Sequence, residues 1–432
     1  MNKNKILFID SWTRGIHNFV PIANELKNYG WESLLVHRGS WGHDSNRPLE
    51  EKIDGILCRD FQYYKTRFIY KVLKVEKPDL VLILTTNYLF DRAVILASKS
   101  QGIKSCFMMH GIRGINDIDV QKSTPNDSFF QKRWQRAGKF LFHIIPNYYL
   151  SGLSNNWWFL FRVEPYSILL KLFFKPHKYL LFPPPSSEIH CDLALVWGNA
   201  YKQFFIKEYG YPENRVTVVG HPPLDPVFHL LNNPPNQQKK IAFLDAHFIL
   251  VDKPYCVYLA DGSVEQGQVG WTIENRIKHL DEIALLCKKA SRQLVIKLHP
   301  ATDKFPIQAH FSEDDHVHVF SKLNLNLLIM WCESVIGQGS TTNDIAIIMQ
   351  KPLFLPAWGI SERKAKSTIK RQPMSILCSS PDELLESIKH PDKDKFAKKQ
   401  EQEQYILDFI TYTDGKAIDR IVENIINAGK IN

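Results

Sequence analysis

Short apolar runs rich in β-branched residues alternate along the chain with longer stretches of helical periodicity. Runs that are apolar on both faces are typical of strands in a parallel sheet covered by helices. Residues 19–28 and 90–99 have the length and pattern of crossover helices. The first half of the chain therefore predicts an open α/β sheet. Its predicted strands are residues 6–10, 33–37, 55–60, 80–84, 105–110, 193–197 and 216–220.

A polar stretch at residues 232–238 is made of asparagine, proline and glutamine, and it predicts a linker. A second α/β series follows, so the 432 residues are predicted to form two domains. The predicted bounds are 1–230 for the first domain, 231–393 for the second and 394–432 for a helical C-terminal segment. In the second domain the predicted strands are 241–244, 294–298, 316–320, 334–336, 353–356 and 375–377, and the predicted helices are 274–289, 325–332, 343–350 and 381–389.

One region, at about residues 125–188, breaks this alternation and predicts an insertion in the first domain. Aromatic and basic residues are interleaved there without a long apolar run, as in Lys132, Arg133 and Trp134. Rings at the headgroup level and cations facing anionic lipid are what an interfacial segment needs. The insertion therefore predicts binding to an anionic membrane surface. The alternative is a helical hairpin that packs on the sheet and leaves its basic side in solvent.

The formal charge of +9 and the isoelectric point near 9.0 favour an anionic partner. Nucleic acid is not expected, because no recognition module accompanies the basic residues. Seven scattered cysteines without a CxxC pair indicate a reducing compartment rather than a zinc site or a disulfide framework. The sequence shows neither a signal-peptide pattern nor an apolar stretch of about 20 residues. We expect a cytoplasmic protein, peripheral at the inner face of the cell membrane.

Residues 293–300, QLVIKLHP, predict a buried strand that ends in a basic turn. In an open α/β sheet, ligands bind beyond the carboxyl ends of the strands. Lys297 and His299 therefore lie where a phosphate would bind, and Pro300 fixes the turn around them. The alternative is that His299 only caps a loop.

Residues 335–352, VIGQGSTTNDIAIIMQKP, predict a strand, a glycine-rich turn and a helix. Glycine permits close backbone approach, while hydroxyls and the helix start attract phosphate oxygens. Asp344, one turn into the helix, is predicted to accept ribose hydroxyls. The alternative is that a hydroxyl there is an ordinary helix cap. The candidate phosphate-binding residues of this loop are Gly339, Ser340, Thr341 and Thr342.

In the first domain, residues 106–114, CFMMHGIRG, predict a strand that ends in His110 and Gly111. An imidazole near its ordinary pKa is suited to deprotonate a hydroxyl group. Arg113 is placed to contact an anionic acceptor or a donor phosphate. The alternative is a structural histidine that bonds loop backbone.

The loop after the first strand contributes Arg14, Gly15 and His17, which are predicted to line a cleft between the domains. A plain strand-to-helix turn is the alternative. No GxGxxG motif follows this strand, which argues against a classical NAD enzyme. No DxD-like motif stands at a strand end, so neither an essential metal nor another cofactor is expected.

These motifs, in their order along the chain, resemble the GT-B transferases of bacterial surface polysaccharide synthesis. In that group an HP motif and a later Ser/Thr-rich motif hold the donor nucleotide; it includes bacterial sialyltransferases, capsule Kdo transferases and CDP-glycerol glycerophosphotransferases. The passage 195–225, which ends in VGHPPLD, is similar to the one that precedes their second domain. The resemblance covers residues 105–115 and 193–357, under half the chain.

The resemblance implies two Rossmann-like domains facing a cleft, with the acceptor in the first and the nucleotide in the second. It also implies a C-terminal helix that returns toward the first domain. The implied reaction is inverting transfer of a sugar from a nucleotide-activated donor, CMP/CDP- or UDP-linked, to a surface-polysaccharide or lipid-linked glycan acceptor, with His110 as the base. Asp261 is a reserve base. A CDP-glycerol or CDP-ribitol type of polyol-phosphate transfer and a nucleotide-sugar 2-epimerase remain alternatives.

Overall fold

The strands of the protein form two separate sheets, one of eight strands and one of six. The structure is a computed structural model, and it describes residues 4–10, 13–41, 47–86, 88–110, 138–161, 190–260, 272–298, 304–338, 342–393 and 398–429. The strands of the first sheet lie within residues 5–218, and those of the second lie within residues 255–378.

The first sheet has the order β3-β4-β2-β1-β5-β6-β7-β8. All neighbouring pairs are parallel except β3 and β4, which form an antiparallel hairpin at one edge. The sequence predicted the other seven strands but missed β3, whose residues alternate between exposed and half-buried. The strands are β1 Lys5–Asp10, β2 Glu32–His37, β3 Glu50–Ile53, β4 Ile56–Asp60, β5 Leu80–Ile83, β6 Lys104–Met108, β7 Leu193–Val196 and β8 Val216–Val218.

Helices cover both faces of this sheet, because successive residues of each strand point to opposite sides. Leu7 and Ile9 pack into the cluster that contains Val94, whereas Ile6 and Phe8 pack into the opposite cluster. The helices of this domain are α1 Val20–Asn28, α2 Ile69–Glu76, α3 Leu89–Ser100, α4 Ile145–Leu153 and α5 Asn199–Tyr209.

Residues 138–161 are the described part of the predicted insertion, and they comprise a π-helical turn at Phe140–Ile144, α4 and a 3-10 helix at Trp157–Phe161. Helix α4 packs against α2 and α3. The buried amide of Asn147 accepts a hydrogen bond from the N–H of Ile69 at 2.8 Å and donates to the carbonyl of Arg67 at 2.7 Å. Tyr148 and Phe159 lie in the core of the first domain. This part of the insertion is therefore packed on helices of the first domain. Among the described helices, none combines the length and the apolar character needed to cross a membrane.

The second sheet is entirely parallel, in the order β11-β10-β9-β12-β13-β14. Its strands are β9 Tyr255–Leu259, β10 Gln293–Lys297, β11 Val317–Phe320, β12 Ser334–Gly337, β13 Leu353–Pro356 and β14 Ile376–Cys378. The accompanying helices are α6 Asp225–Asn232, α7 Gln237–Asp245, α8 Ile273–Lys289, α9 Phe305–His310, α10 Leu325–Trp331, α11 Asn343–Ile348, α12 Glu362–Ile369 and α13 Pro381–Lys389.

One predicted strand, residues 241–244, is wrong, since these residues lie inside α7. The side chain of Asn236 accepts a hydrogen bond from the N–H of Lys239 at 3.0 Å and so starts a helix there. Short apolar runs are ambiguous between strand and helix, and of this one only Leu244 is fully buried. The first strand of the second sheet along the chain is β9, which the sequence analysis did not predict.

The C-terminal segment joins the two domains. Helix α14, Lys399–Tyr405, runs into a π-helical turn at Ile406–Ile410, and α15, Ala417–Gly429, follows. Ile421 and Ile425 of α15 lie in the same apolar cluster as Ile6 of β1. The last helix is therefore part of the first domain's core.

Candidate functional site

The carboxyl ends of parallel strands meet at one edge of each sheet, and the candidate residues lie at these edges. His110 follows β6 by two residues and is exposed. Gly111 and Arg113 lie outside the described residues. An exposed imidazole at a strand end can be reached by a hydroxyl substrate, as a general base requires.

The loop after β1 forms a 3-10 helix, Thr13–Asn18, which contains the predicted acceptor-side residues. A Cβ atom at Gly15 would lie 2.2 Å from the Oδ2 atom of Asp10, so a larger residue at this position would have to displace the Asp10 carboxylate. His17 is exposed, and the side chain of Arg14 lies outside the described residues. The close approach places the Asp10 carboxylate against the backbone of this loop.

A charged cluster that the sequence did not predict lies beside this loop. The guanidinium carbon of Arg38 lies 4.1 Å from the centroid of the Phe90 ring. Burial lowers the pKa of Arg38, and the nearby carboxylates of Asp91 and Asp10 oppose that shift. Thr85 donates a hydrogen bond to Asp91. A half-buried cation thus lies close enough to the carboxylates of Asp91 and Asp10 to feel their charge, at the strand ends of the first sheet.

On the second sheet, Lys297 ends β10 and lies between two strand ends. Its Nζ atom donates to the carbonyls of Leu298 at 2.9 Å and Ser321 at 3.0 Å. Burial lowers the pKa of this ammonium group. His299 and Pro300 lie outside the described residues. The described contacts of Lys297 therefore fix its cation at the edge where the sequence predicted a phosphate.

Hydrogen bonding fixes the beginning of the loop that follows β12. Gln338 donates a hydrogen bond to the hydroxyl of Tyr258 on β9. A Cβ atom at Gly337 would lie 2.7 Å from the Oδ1 atom of Asn343, so the backbone can approach α11 only because residue 337 is glycine. The three loop residues Gly339, Ser340 and Thr341 lie outside the described residues.

The second flank of the loop is held by helix α11. Thr342 occupies the N-cap position of α11, and its side chain makes no capping hydrogen bond. The Nδ2 atom of Asn343 donates to the side-chain oxygen of Gln372 at 3.0 Å. The sequence did not predict Gln372 or Tyr405 as residues of this site, because both are distant along the chain. Gln372 contacts Asn343, and Tyr405 contacts the next residue, Asp344.

The environment of Asp344 differs from the predicted ribose contact. Its carboxylate is 2% exposed, and Oδ1 accepts hydrogen bonds from Gln372 at 2.9 Å and from the Tyr405 hydroxyl at 3.0 Å. Burial raises the pKa of Asp344 to about 7. The described carboxylate is thus enclosed and bonded from inside the protein, which disfavours a contact with a ribose hydroxyl. The ribose contact of Asp344 stays a prediction.

Asp344 also faces the first domain. The Nδ1 atom of His221 lies 3.9 Å from its Oδ2 atom, which is too long for a hydrogen bond. The ring of His221 stacks on Trp197, with 3.6 Å between the ring centroids. Burial lowers the pKa of His221 to about 3, so this imidazole is neutral at physiological pH.

In the described parts of the chain, no group of three His, Cys, Asp or Glu side chains is placed to hold a metal ion. Metal independence stays a prediction.

Comparison with solved structures finds the same architecture over nearly the whole chain. The UDP-GlcNAc 2-epimerase from Neisseria meningitidis, bound to UDP-GlcNAc, is 17% identical, with a TM-score of 0.53 over 98% of this chain and 100% of the other. The wall teichoic acid polymerase TagF is 13% identical, with a TM-score of 0.56 over 99% and 89%. The calicheamicin glycosyltransferase CalG4 is 11% identical, with a TM-score of 0.52 over 99% and 98%.

The chain has the GT-B fold. The predicted fold class, two Rossmann-like α/β domains, is therefore confirmed. At these identities the likeness shows the fold alone. No protein-family model matches the sequence, and no curated protein matches it significantly. The GT-B neighbours are enzymes that include both transferases and epimerases, so the comparisons do not choose between these activities.

The raised pKa of Asp344 predicts a pH-dependent stability. An unfolded aspartate has a pKa near 3.9, so the folded state binds this proton more tightly. That contribution is fully present below about pH 4 and is lost as pH rises through about 7. We expect Asp344→Asn, which keeps the acceptor oxygen, to raise the melting temperature more at pH 8 than at pH 5.5. Thermal melts across this range check it, with the exposed Asp245→Asn as control; parallel curves for wild type and Asp344→Asn would contradict it.

Proposed function

We propose that the protein is an inverting, metal-independent glycosyltransferase that moves a sugar from a nucleotide-activated donor to a surface-polysaccharide or lipid-linked glycan acceptor. The main support is the GT-B fold over 98–99% of the chain. The second support is the order in which the sequence motifs follow the predicted strands of both domains. One structural neighbour holds UDP-GlcNAc, which supports a nucleotide-activated donor.

The proposed chemistry divides the work between the two domains. His110 takes the proton of an acceptor hydroxyl as its oxygen forms a bond to the anomeric carbon. The bond from that carbon to the donor phosphate breaks on the opposite face, which inverts the configuration. Lys297, His299 and Ser340 compensate the negative charge that develops on the departing phosphate, and such preorganised electrostatic stabilisation is a large part of catalysis.

Two other activities are compatible with this fold. The wall teichoic acid polymerase neighbour, with a TM-score of 0.56, favours polyol-phosphate transfer from a CDP-linked donor. In that case the acceptor hydroxyl would attack phosphorus, and His110 would have the same role. The 2-epimerase neighbours favour a reaction without an acceptor. Incubation of the protein with UDP-GlcNAc alone, followed by analysis of the sugar, separates the epimerase from both transferases.

The donor-site assignment predicts the effect of two substitutions. CMP, CDP, UDP and GDP are first screened by thermal shift, and affinities are then measured by calorimetry. We expect His299→Ala and Ser340→Ala each to weaken binding of the nucleotide by roughly tenfold to a hundredfold, because each loses a hydrogen bond to an anion, worth about 1.5–3 kcal/mol. Matched controls are His310→Ala and Ser380→Ala, a helix-cap serine elsewhere in the domain. Unchanged affinity in both site variants would remove the assignment.

The assignment of His110 predicts a loss of turnover without a loss of donor binding. His110→Ala should cut transfer by roughly 10²–10⁴-fold, the usual contribution of a positioned base. Transfer rates and nucleotide affinity are measured on the same preparations, with the exposed His310→Ala as control. Near-normal turnover would move the base elsewhere, and Asp261, or a carboxylate such as Asp10 or Asp117, would become the candidate. A loss of nucleotide affinity instead would place His110 in the donor site.

We further propose that the insertion holds the protein at an anionic membrane surface. Although α4 packs on α2 and α3, large apolar side chains of the residues that flank it remain exposed: Phe142 is 59%, Trp157 57% and Phe161 65% exposed. Exposed aromatic rings near basic residues are suited to the headgroup region of a bilayer. This location would bring the site to a lipid-linked acceptor.

Liposome flotation tests the membrane proposal with two variants. One replaces Phe142, Trp157 and Phe161 with serine, and the other neutralises the cluster formed by Lys132, Arg133, Arg136 and Lys139. Both should float less with anionic vesicles than wild type, and added salt should weaken wild-type binding because it screens the cationic part. The control neutralises four exposed lysines of the second domain, Lys239, Lys278, Lys288 and Lys289. Equal flotation of all proteins would exclude a role for this surface.

A further inference from the structure

A buried network around Asp344 joins parts of the chain that belong to different structural units. From the second domain, Gln372 donates to Oδ1 of Asp344 and also accepts from Asn343. From the C-terminal segment, the hydroxyl of Tyr405 donates a hydrogen bond to the same oxygen at 3.0 Å. The side chains of Asp344, Gln372 and Tyr405 are at most 5% exposed. Because the network is enclosed, each of its bonds constrains the start of α11.

The first domain approaches this network from the opposite side. His221, which follows β8, presents Nδ1 to Oδ2 of Asp344 at 3.9 Å, and none of the described residues gives that Nδ1 atom a hydrogen-bond partner. His221 stacks on Trp197, whose buried Nε1 atom likewise has no partner within the described ranges. Unpaired buried polar atoms cost free energy. A small approach of the two domains would give the imidazole a partner in Asp344.

The C-terminal segment, at residues 405–411, connects the Asp344 network with the first domain. Tyr405 stacks on Phe409, with 4.9 Å between ring centroids, and Phe409 packs edge-on against Tyr201 of α5 at 5.5 Å. A Cβ atom at Gly198 would lie 2.4 Å from the carbonyl carbon of Phe409, so the C-terminal segment passes directly over the end of β7. The hydroxyl of Thr411 accepts a hydrogen bond from the N–H of Asn199 at 3.0 Å.

We propose that Asp344 is a positioning residue, which fixes the first turn of α11 relative to the first domain through its hydrogen bond with Tyr405 and the contact of Phe409 with Tyr201, while His221 faces the same carboxylate. The inference rests on the proposed donor site. Asp344 lies two residues after Thr342, so the bonds that hold its carboxylate also set where the chain leaves the loop of predicted phosphate contacts. A donor bound at that loop and a change in the arrangement of the domains then act on the same carboxylate.

The decisive variant is Tyr405→Phe, which deletes one bond to Asp344 and keeps the ring. Its matched control is Tyr255→Phe, because Tyr255 is also buried in the second domain and donates a 2.8 Å hydrogen bond to the carbonyl of Leu328. We expect both to lower the melting temperature by similar amounts. Only Tyr405→Phe should weaken CDP and UDP binding, by about threefold to tenfold, the effect of one hydrogen bond.

A pH profile gives a second readout that a merely stabilising role would not change. The groups that face Asp344 are Tyr405, Gln372, His221 and, through its charge, Arg371. As Asp344 ionises between pH 6 and 8, its buried negative charge should disfavour an anionic nucleotide. The wild-type affinity for CDP, divided by that of Asp344→Asn, should therefore fall across this range. Taking the ratio removes the ionisation of CDP itself.

The outcomes separate this inference from the proposed function. If wild type binds none of the tested nucleotides, the proposed function fails and the inference with it. If wild type binds CDP or UDP and Ser340→Ala weakens binding, the donor site stands. The inference is then overturned when Tyr405→Phe and Tyr255→Phe have equal affinity, or when the wild-type to Asp344→Asn ratio is constant with pH.

Discussion

Burial of the strands on both faces is the constraint from which the rest of this structure follows. Here helical crossovers connect strands that run parallel and cover both faces of each sheet, and only β3 runs antiparallel to its neighbour among the described strands. The carboxyl ends of the parallel strands then meet at one edge, as with β1 and β6 in the first sheet and β10 and β12 in the second. Residues that are distant along the chain are therefore brought together there without any local signal that pairs them.

The two edges are built differently. In the first domain, the cation of the half-buried Arg38 interacts with the carboxylate charges of Asp91 and Asp10. In the second domain, the described partners of the Lys297 ammonium group are two carbonyl oxygens, which carry no formal charge. The first sheet thus combines charges of both signs at its strand ends, whereas the described end of β10 presents a cation with neutral partners.

The C-terminal segment makes the two domains interdependent. Asp225, which opens α6, accepts hydrogen bonds at 3.0 Å from the N–H groups of Ala417 and Ile418 at the start of α15. Helix α15 then supplies Ile421 and Ile425 to the first domain's core. The chain passes the Asp344 network on its way, through Tyr405. The core of the first domain and the Asp344 network at the start of α11 thus both depend on the C-terminal segment.

The sequence by itself determined the two-domain α/β pattern, seven of the eight strands of the first sheet and the strand ends that carry His110 and Lys297. Periodicity and turn residues are local signals, and they suffice where a run is long or strongly apolar. They failed at residues 241–244, where a cap at Asn236 selected a helix. Only the tertiary structure decided that Asp344 is enclosed by Gln372 and Tyr405, because that burial depends on segments that no local pattern connects.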